Sequence, residues 1–185
     1  MSLSKKIPIP TGKEIKLKSL KIHSQTINLK LMYEKILVAI DNSPASEAVF
    51  NSALGIAKAY QSEMMLLHVL APDAEDSPIS FAPMTMSYNP ETMDEYQQKW
   101  QEFAAKCIDL LKSYREIAAQ HGVKTVIQQV NGHPAKTICN FAKEWNANLV
   151  VIGRRGHSMV SEILMGSVSS YVLHRVHTSV FIVQS

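Results

Sequence analysis

Ile36-Leu37-Val38-Ala39-Ile40 and Leu149-Val150-Val151-Ile152 are apolar at every position. A strand with one wet face alternates polar and apolar residues. An unbroken apolar run instead belongs to a strand covered on both sides, as in a parallel sheet between two layers of helices. Met64-Met65-Leu66-Leu67-His68-Val69 and Val180-Phe181-Ile182-Val183 read as further strands, the last of them an exposed apolar edge. From Val123 to Val130 the pattern is broken by Lys124, Gln128 and Gln129, as expected of a strand at a sheet edge.

Helical periodicity fills the gaps between these runs. After the first, Asn42-Ser43-Pro44 predicts a helix start, with Ser43 as cap and Pro44 in the first turn. Val49, Ala53, Ile56, Ala57 and Tyr60 form its inner face. The second helix follows Asn89-Pro90. Its stripe is Met93, Tyr96, Trp100, Phe103, Cys107, Leu110, Tyr114 and Ile117, and Gly122 stops it. The third follows Asn131-Gly132-His133-Pro134 and turns Ala135, Ile138, Cys139, Ala142 and Trp145 inward. The fourth starts near Ser167 with Val168, Val172, Leu173 and Val176. Strand then helix, four times over and closed by a strand, predicts an α/β fold: a single doubly wound parallel five-stranded sheet with right-handed crossovers and helices on both faces. Residues 70–89, with Pro72, Pro78 and Pro83, show no periodicity and read as a long loop, in which Met84 and Met86 pack locally.

Charge separates two regions. The chain of 185 residues carries 19 Lys and Arg against 16 Asp and Glu, a net +3. Residues 1–32 hold seven of the lysines and one acid, Glu14, leaving twelve basic and fifteen acidic residues for the remainder. The body is therefore mildly acidic, which argues against a basic nucleic-acid face on it. Residues 1–32 are expected to be a basic extension, flexible or foreign to the native protein, with Met32 a natural start for the domain 33–185. Contact of this arm with nucleic acid or anionic lipid is the lesser expectation. No apolar run approaches bilayer length and no signal peptide is apparent. Cys107 and Cys139 both fall on apolar helix faces. Two buried free thiols suit a reducing compartment, so a cytoplasmic protein is expected.

The chemistry is concentrated between Gly153 and Ser167. Here Gly153-Arg154-Arg155-Gly156 follows a buried strand, and nine residues later Gly166-Ser167 opens a helix. Glycines allow a sharp turn and close approach to an anion, and the free N–H groups of a helix start point at it. No lysine follows the last glycine, so this is not a Walker A loop, nor is it the compact dinucleotide fingerprint. In a doubly wound sheet, ligands bind beyond the carboxyl ends of the strands where their order reverses. Asp41, at the end of the first strand, faces the glycine loop across that crevice.

Gly153, Gly156, Gly166 and Ser167, taken with Ile36 to Asp41 and Leu66-Leu67-His68-Val69, resemble the ATP-binding branch of the universal stress protein family. The likeness runs from Tyr33 to Ser185 and fills every position of the Gly-x2-Gly-x9-Gly-Ser pattern. It implies strand order 3-2-1-4-5 and a homodimer through the edge of Val180 to Val183. It implies ATP, ADP or AMP as ligand, with Mg2+ or Mn2+ held through the phosphates rather than by a protein metal site. By matching position, Ala39, Ile40 and Asp41 border adenine and ribose, and Val69 meets the adenine through its backbone. Ile152 and Gly153 lie along the ribose. Gly156, Gly166, Ser167 and Val168 hold phosphate, with Arg155 beside them. Arg154 and Arg155 either pair with the terminal phosphate or stay in water, and the resemblance leaves this open.

Elsewhere the bland reading holds. His157 is a solvated loop residue, His68 is structural, and His133 either caps the third helix or touches ligand. Asp94 and Glu95 form a solvated helix start. No nucleophile–base pair is evident, so no catalytic residue is assigned. The reading is an ATP-binding sensor or adaptor of the stress response, with slow hydrolysis at most. The alternatives are a nucleotide hydrolase or adenylyl-transfer enzyme of the same fold group, and an apo protein-interaction module.

Overall fold

The computed structural model describes residues 32–72, 77, 90–154 and 165–184. The arm 1–31, most of the 70–89 connection, and Arg155, Gly156 and His157 lie outside them. The elements are β1 Lys35–Ala39, α1 Ser46–Tyr60, β2 Glu63–Leu70, α2 Pro90–Gln120, β3 Thr125–Asn131, α3 Pro134–Glu144, β4 Leu149–Gly153, α4 Ser167–Arg175 and β5 Ser179–Val183. All strand pairs are parallel, in the order β3-β2-β1-β4-β5.

The chain leaves β1 in one direction, to β2 and β3, and then returns across the sheet to β4 and β5. With right-handed crossovers, this change of direction puts α1 and α2 on one face and α3 and α4 on the other. Side-chain parity along the strands divides the core accordingly. Ile36, Val38, Met64, Leu66 and Val151 pack with Val49, Phe50 and Ala53 of α1 and Leu111 and Ala118 of α2. Leu37, Met65, Leu67, Val150 and Ile152 pack with Ile138 and Ala142 of α3 and Val172 of α4. Ile36, Leu37 and Val38 are fully enclosed, as the uninterrupted apolar run requires of the middle strand.

Four local expectations change. First, α1 starts at Ser46 with Ala45 as its cap residue, so Pro44 precedes the helix. Ser43 makes no side-chain cap because its hydroxyl is committed to Asp41 instead. Second, the α2 stripe is turned: Cys107, Leu111, Tyr114 and Ala118 are buried, while Ile117 and Met93 are 38% and 49% exposed. With 31 residues, α2 is about 46 Å long, whereas the eight residues of β2 span about 26 Å, so much of the helix overhangs the sheet. The alanine at 118 also belongs to the buried line, where a search for large apolar residues passes over it. Third, Leu173 of α4 is 45% exposed, leaving Val172 as the residue that anchors the helix. Fourth, Cys139 is only half-buried, while Cys107 is enclosed; neither is in a disulfide.

Gly122 does stop α2 as expected. Its φ is +73°, its N–H donates to Ala119 O at 2.9 Å, and Val123 N–H donates to Ala118 O at 2.9 Å. This is the paired 6→1 and 5→2 closure that favours glycine. The polar-interrupted β3 is a sheet edge, and so is β5.

The corrected α2 face has a direct test. Leu111→Ala should destabilise by about 3 kcal/mol, as buried Leu truncations do, and Ile117→Ala by less than about 1 kcal/mol. Urea unfolding of both variants measures this, and equal losses would contradict the observed helix orientation.

Candidate functional site

β1 ends before both of its neighbours. Its last registered pair with β2 is Ala39 with Leu67, while β2 continues to Leu70. Its last pair with β4 is Val38 with Val151, while β4 continues to Gly153. A notch is left over the end of β1 at the middle of the sheet. Its β2 wall rises three residues, about 10 Å.

Backbone parity decides what faces the notch. Ile40 N–H donates to Leu67 O at 2.9 Å, so the polar groups of Leu67 point toward β1. Two residues on, those of Val69 point the same way, where no residue of β1 stands opposite. Val69 therefore presents a backbone donor and acceptor to the notch, while its side chain packs in the α3–α4 layer. On the far side, Arg154 N–H donates to Val183 O of β5 at 2.8 Å. The preceding residue, Gly153, is thereby turned toward β1. Ala39 and Ile152 pack in the α3–α4 layer beneath, and Ile40 is buried at the floor.

Asp41 sits at the turn out of β1 and is held firmly. Its Oδ1 accepts from the Ser43 N–H at 3.0 Å and the Ser43 hydroxyl at 2.5 Å, and lies 2.6 Å from the Ser46 hydroxyl. Ser46 Oγ also accepts from the Asp41 N–H at 3.2 Å and lies 2.7 Å from the Asp41 carbonyl. Among the described residues Oδ2 takes no hydrogen bond. One oxygen fixes the carboxylate, and the other is uncommitted among the described residues. Ser43 and Ser46, both buried, are parts of the site that the sequence reading missed. Their signal was the Asp-x-Ser-x-x-Ser spacing, in which an aspartate collects donors from its own turn.

The glycine loop is clamped at its base. Arg154 carbonyl accepts from Gly166 N–H at 2.9 Å and from the buried Ser169 hydroxyl at 2.7 Å. Gly166 caps α4 in an extended conformation, and the first helical bond runs from Ser170 N–H to Gly166 O at 2.9 Å. The N–H groups of Ser167, Val168 and Ser169 consequently have no intrahelical acceptor. No acidic residue occupies that first turn, so no side chain of the turn itself offsets the positive end of the helix. Ser169, buried and bonded to the Arg154 carbonyl, is a further residue of the site that the sequence reading did not single out.

The structure thus brings Ala39, Ile40, Asp41, Val69, Ile152, Gly153, Gly166, Ser167 and Val168 to one end of the sheet. Arg155 and Gly156 fall outside the described residues. His133 is the residue before α3 and makes no side-chain cap bond. His68 is buried against Phe103, with ring centroids 6.3 Å apart. Among the described residues no group of three His, Cys, Asp or Glu side chains could hold a metal ion.

The model of the universal stress protein family matches residues 32–184. The chain belongs to the universal stress protein family. It is 32% identical over 158 residues to universal stress protein Sll1388 of Synechocystis, covering 82% of this chain and 98% of that one. It is 36% identical over 143 residues to universal stress protein YxiE of Bacillus subtilis, covering 76% and 92%. Its fold is shared by UspA of Lactobacillus plantarum, with a TM-score of 0.66 at 24% identity over 82% of this chain and 97% of that one. It is shared by a universal stress protein solved with cAMP, with a TM-score of 0.58 at 23% identity over 83% and 98%. An Arabidopsis thaliana family member solved with AMP gives 0.55 at 17% identity over 81% and 90%.

In this universal stress protein the layer under Asp41 carries a titration marker. Tyr114 of α2 stacks on Phe50 of α1, with centroids 4.3 Å apart and planes 7° from parallel. Burial pushes its phenol pKa up, with further lift from the charges of Glu47 and Asp41. The folded protein keeps this proton at a pH where the unfolded chain has lost it. The contribution to stability is therefore complete below about pH 10 and is lost as pH rises through the folded value. Tyr114→Phe should flatten the alkaline fall in urea midpoint above about pH 10. An unchanged pH profile would remove Tyr114 as its source.

Proposed function

We propose that this universal stress protein binds an adenine nucleotide, ATP or its ADP and AMP products, in the notch over β1. The observation that carries the reading is the pairing of that notch with the clamped glycine loop. A hydrogen-bonding backbone edge at Val69 stands on one side and three open N–H groups at the start of α4 on the other. The first suits the edge of a purine, and Asp41 Oδ2 suits a ribose hydroxyl. Gly166, Ser167 and Val168, with Gly156 and Arg155 by motif position, suit phosphate. Relatives of the same fold solved with cAMP and AMP support adenine as the base.

A Mg2+ or Mn2+ ion in this reading is carried by the phosphates. The described residues offer a helix start and backbone N–H groups, donors for phosphate oxygens rather than ligands for a cation. Nucleotide occupancy then acts as a signal in the stress response, through the loop's attachment to β5, and hydrolysis is at most slow. Two cysteines outside any disulfide fit the reducing cytoplasm as the place of action. A homodimer formed through β5 follows from its position as an unpaired edge on which Phe181 is 44% exposed.

Two experiments test this. Protein purified without added nucleotide is denatured and the released small molecules are separated by chromatography, and the stripped protein is titrated with ATP by calorimetry. Adenine nucleotide should be released or ATP should bind, and Asp41→Ala should weaken binding at least tenfold, about 1.4 kcal/mol. Neither release nor binding would refute the proposal. Separately, sedimentation should give a dimer that Phe181→Lys converts to monomer. A wild-type monomer with and without ATP would remove the dimer.

A further inference from the structure

Arg154 is half-buried, and one of its donors is buried with no acceptor among the described residues. That donor is Nε, which is enclosed. A guanidinium cannot shed its charge to escape this, and buried donors left unpaired are rare because the loss of hydration is not made good. Ion pairs among the described residues are Lys112 with Asp109 and Lys124 with Glu63, both remote from the loop, so no described carboxylate neutralises Arg154.

The root of the side chain is fixed. Arg154 N–H is tied to Val183 O, and its carbonyl receives Gly166 N–H and the Ser169 hydroxyl. The ladder bond to β5 extends strand parity to this residue. Arg154 therefore falls on the face of Ile152, the face over which α4 begins. Its carbonyl is 2.9 Å from Gly166 N, so the backbone from which the guanidinium stem springs adjoins the α4 start. A cation on a fixed stem, an orphaned N–H and an uncompensated helix start share one missing component, an anionic oxygen.

We infer that Arg154 is a specificity-determining residue of the nucleotide site, its Nε–H donating to a phosphate oxygen, so that the site selects phosphorylated adenine nucleotides over the nucleoside. This rests on the nucleotide reading above and goes beyond it, because the glycine motif assigns no role to this position. An acceptor supplied by a second copy of the chain is the competing account, and the test separates the two.

Full-chain wild type, Arg154→Met and Arg154→Gln, stripped of nucleotide, are titrated with ATP, AMP and adenosine by calorimetry at two salt concentrations. Melting temperature without ligand and mass by sedimentation are recorded for each. Both variants should bind ATP and AMP at least tenfold more weakly with a shallower salt dependence, and adenosine within twofold of wild type. Arg154→Met, which removes an unpaired buried donor, should melt at or above the wild-type temperature. Unchanged ATP affinity in the variants overturns the inference. So does an equal loss of adenosine binding, or a ligand-free melting point several degrees lower in both, since each would mark a structural role. A changed dimer mass with ATP affinity intact overturns it in favour of the second copy. Wild type that binds neither ATP nor adenosine fails the nucleotide reading itself, a result distinct from all of these.

Discussion

The middle strand of this sheet stops short, and the site depends on that. β1 is the central strand, flanked by β2 and β4 and covered by helices on both faces. Had it run on, Val69 would have met a ladder partner from β1. Because β1 turns away at Asp41, a pair of backbone polar groups at the heart of the sheet is left facing open space. Such groups are costly in a core but useful at its boundary, where a ligand can complete the ladder.

What turns β1 away is a small polar knot. Asp41, Ser43 and Ser46 exchange hydrogen bonds within six residues, and the knot replaces the ordinary capping expected at the start of α1. The fold and the site share these atoms: the bonds that end the strand also orient the carboxylate. A second knot, at Arg154, fixes the base of the glycine loop: its carbonyl holds Gly166 and Ser169, and its N–H joins β5. The two knots stand on opposite sides of the reversal in strand order, the one place in such a sheet where adjacent crossovers diverge and leave room between them.

Much of this was legible in the sequence because the signals were periodic. Uninterrupted apolar runs identified strands buried on both faces, and the polar breaks in β3 placed it at an edge. Asp41, Val69 and the glycines could be put at strand ends from order alone. The misreadings have a common physical origin, in that the sequence shows residue types but not how far each element extends past its neighbours. The overhang of α2 exposes Met93, and the turn of its buried face toward Leu111 and Ala118 exposes Ile117, although both have the spacing of a core stripe. Ser43, Ser46 and Ser169 went unnoticed because a serine is informative only once its partner is known. The unpaired Nε of Arg154 depends on burial, which spacing does not reveal.

The clamp at Arg154 has a consequence for how such proteins can diversify. The chain leaves the sheet at Arg154 and rejoins it at Gly166 through two backbone atoms 2.9 Å apart, with Ser169 fastening the same carbonyl from within α4. The two ends of the intervening segment are thus fixed by one carbonyl, and lengthening a loop whose ends are already joined costs only the logarithm of its length. The bonds that seat the ends belong to the sheet and to α4, so the distance along the chain between them is free to vary while the posts stay in place.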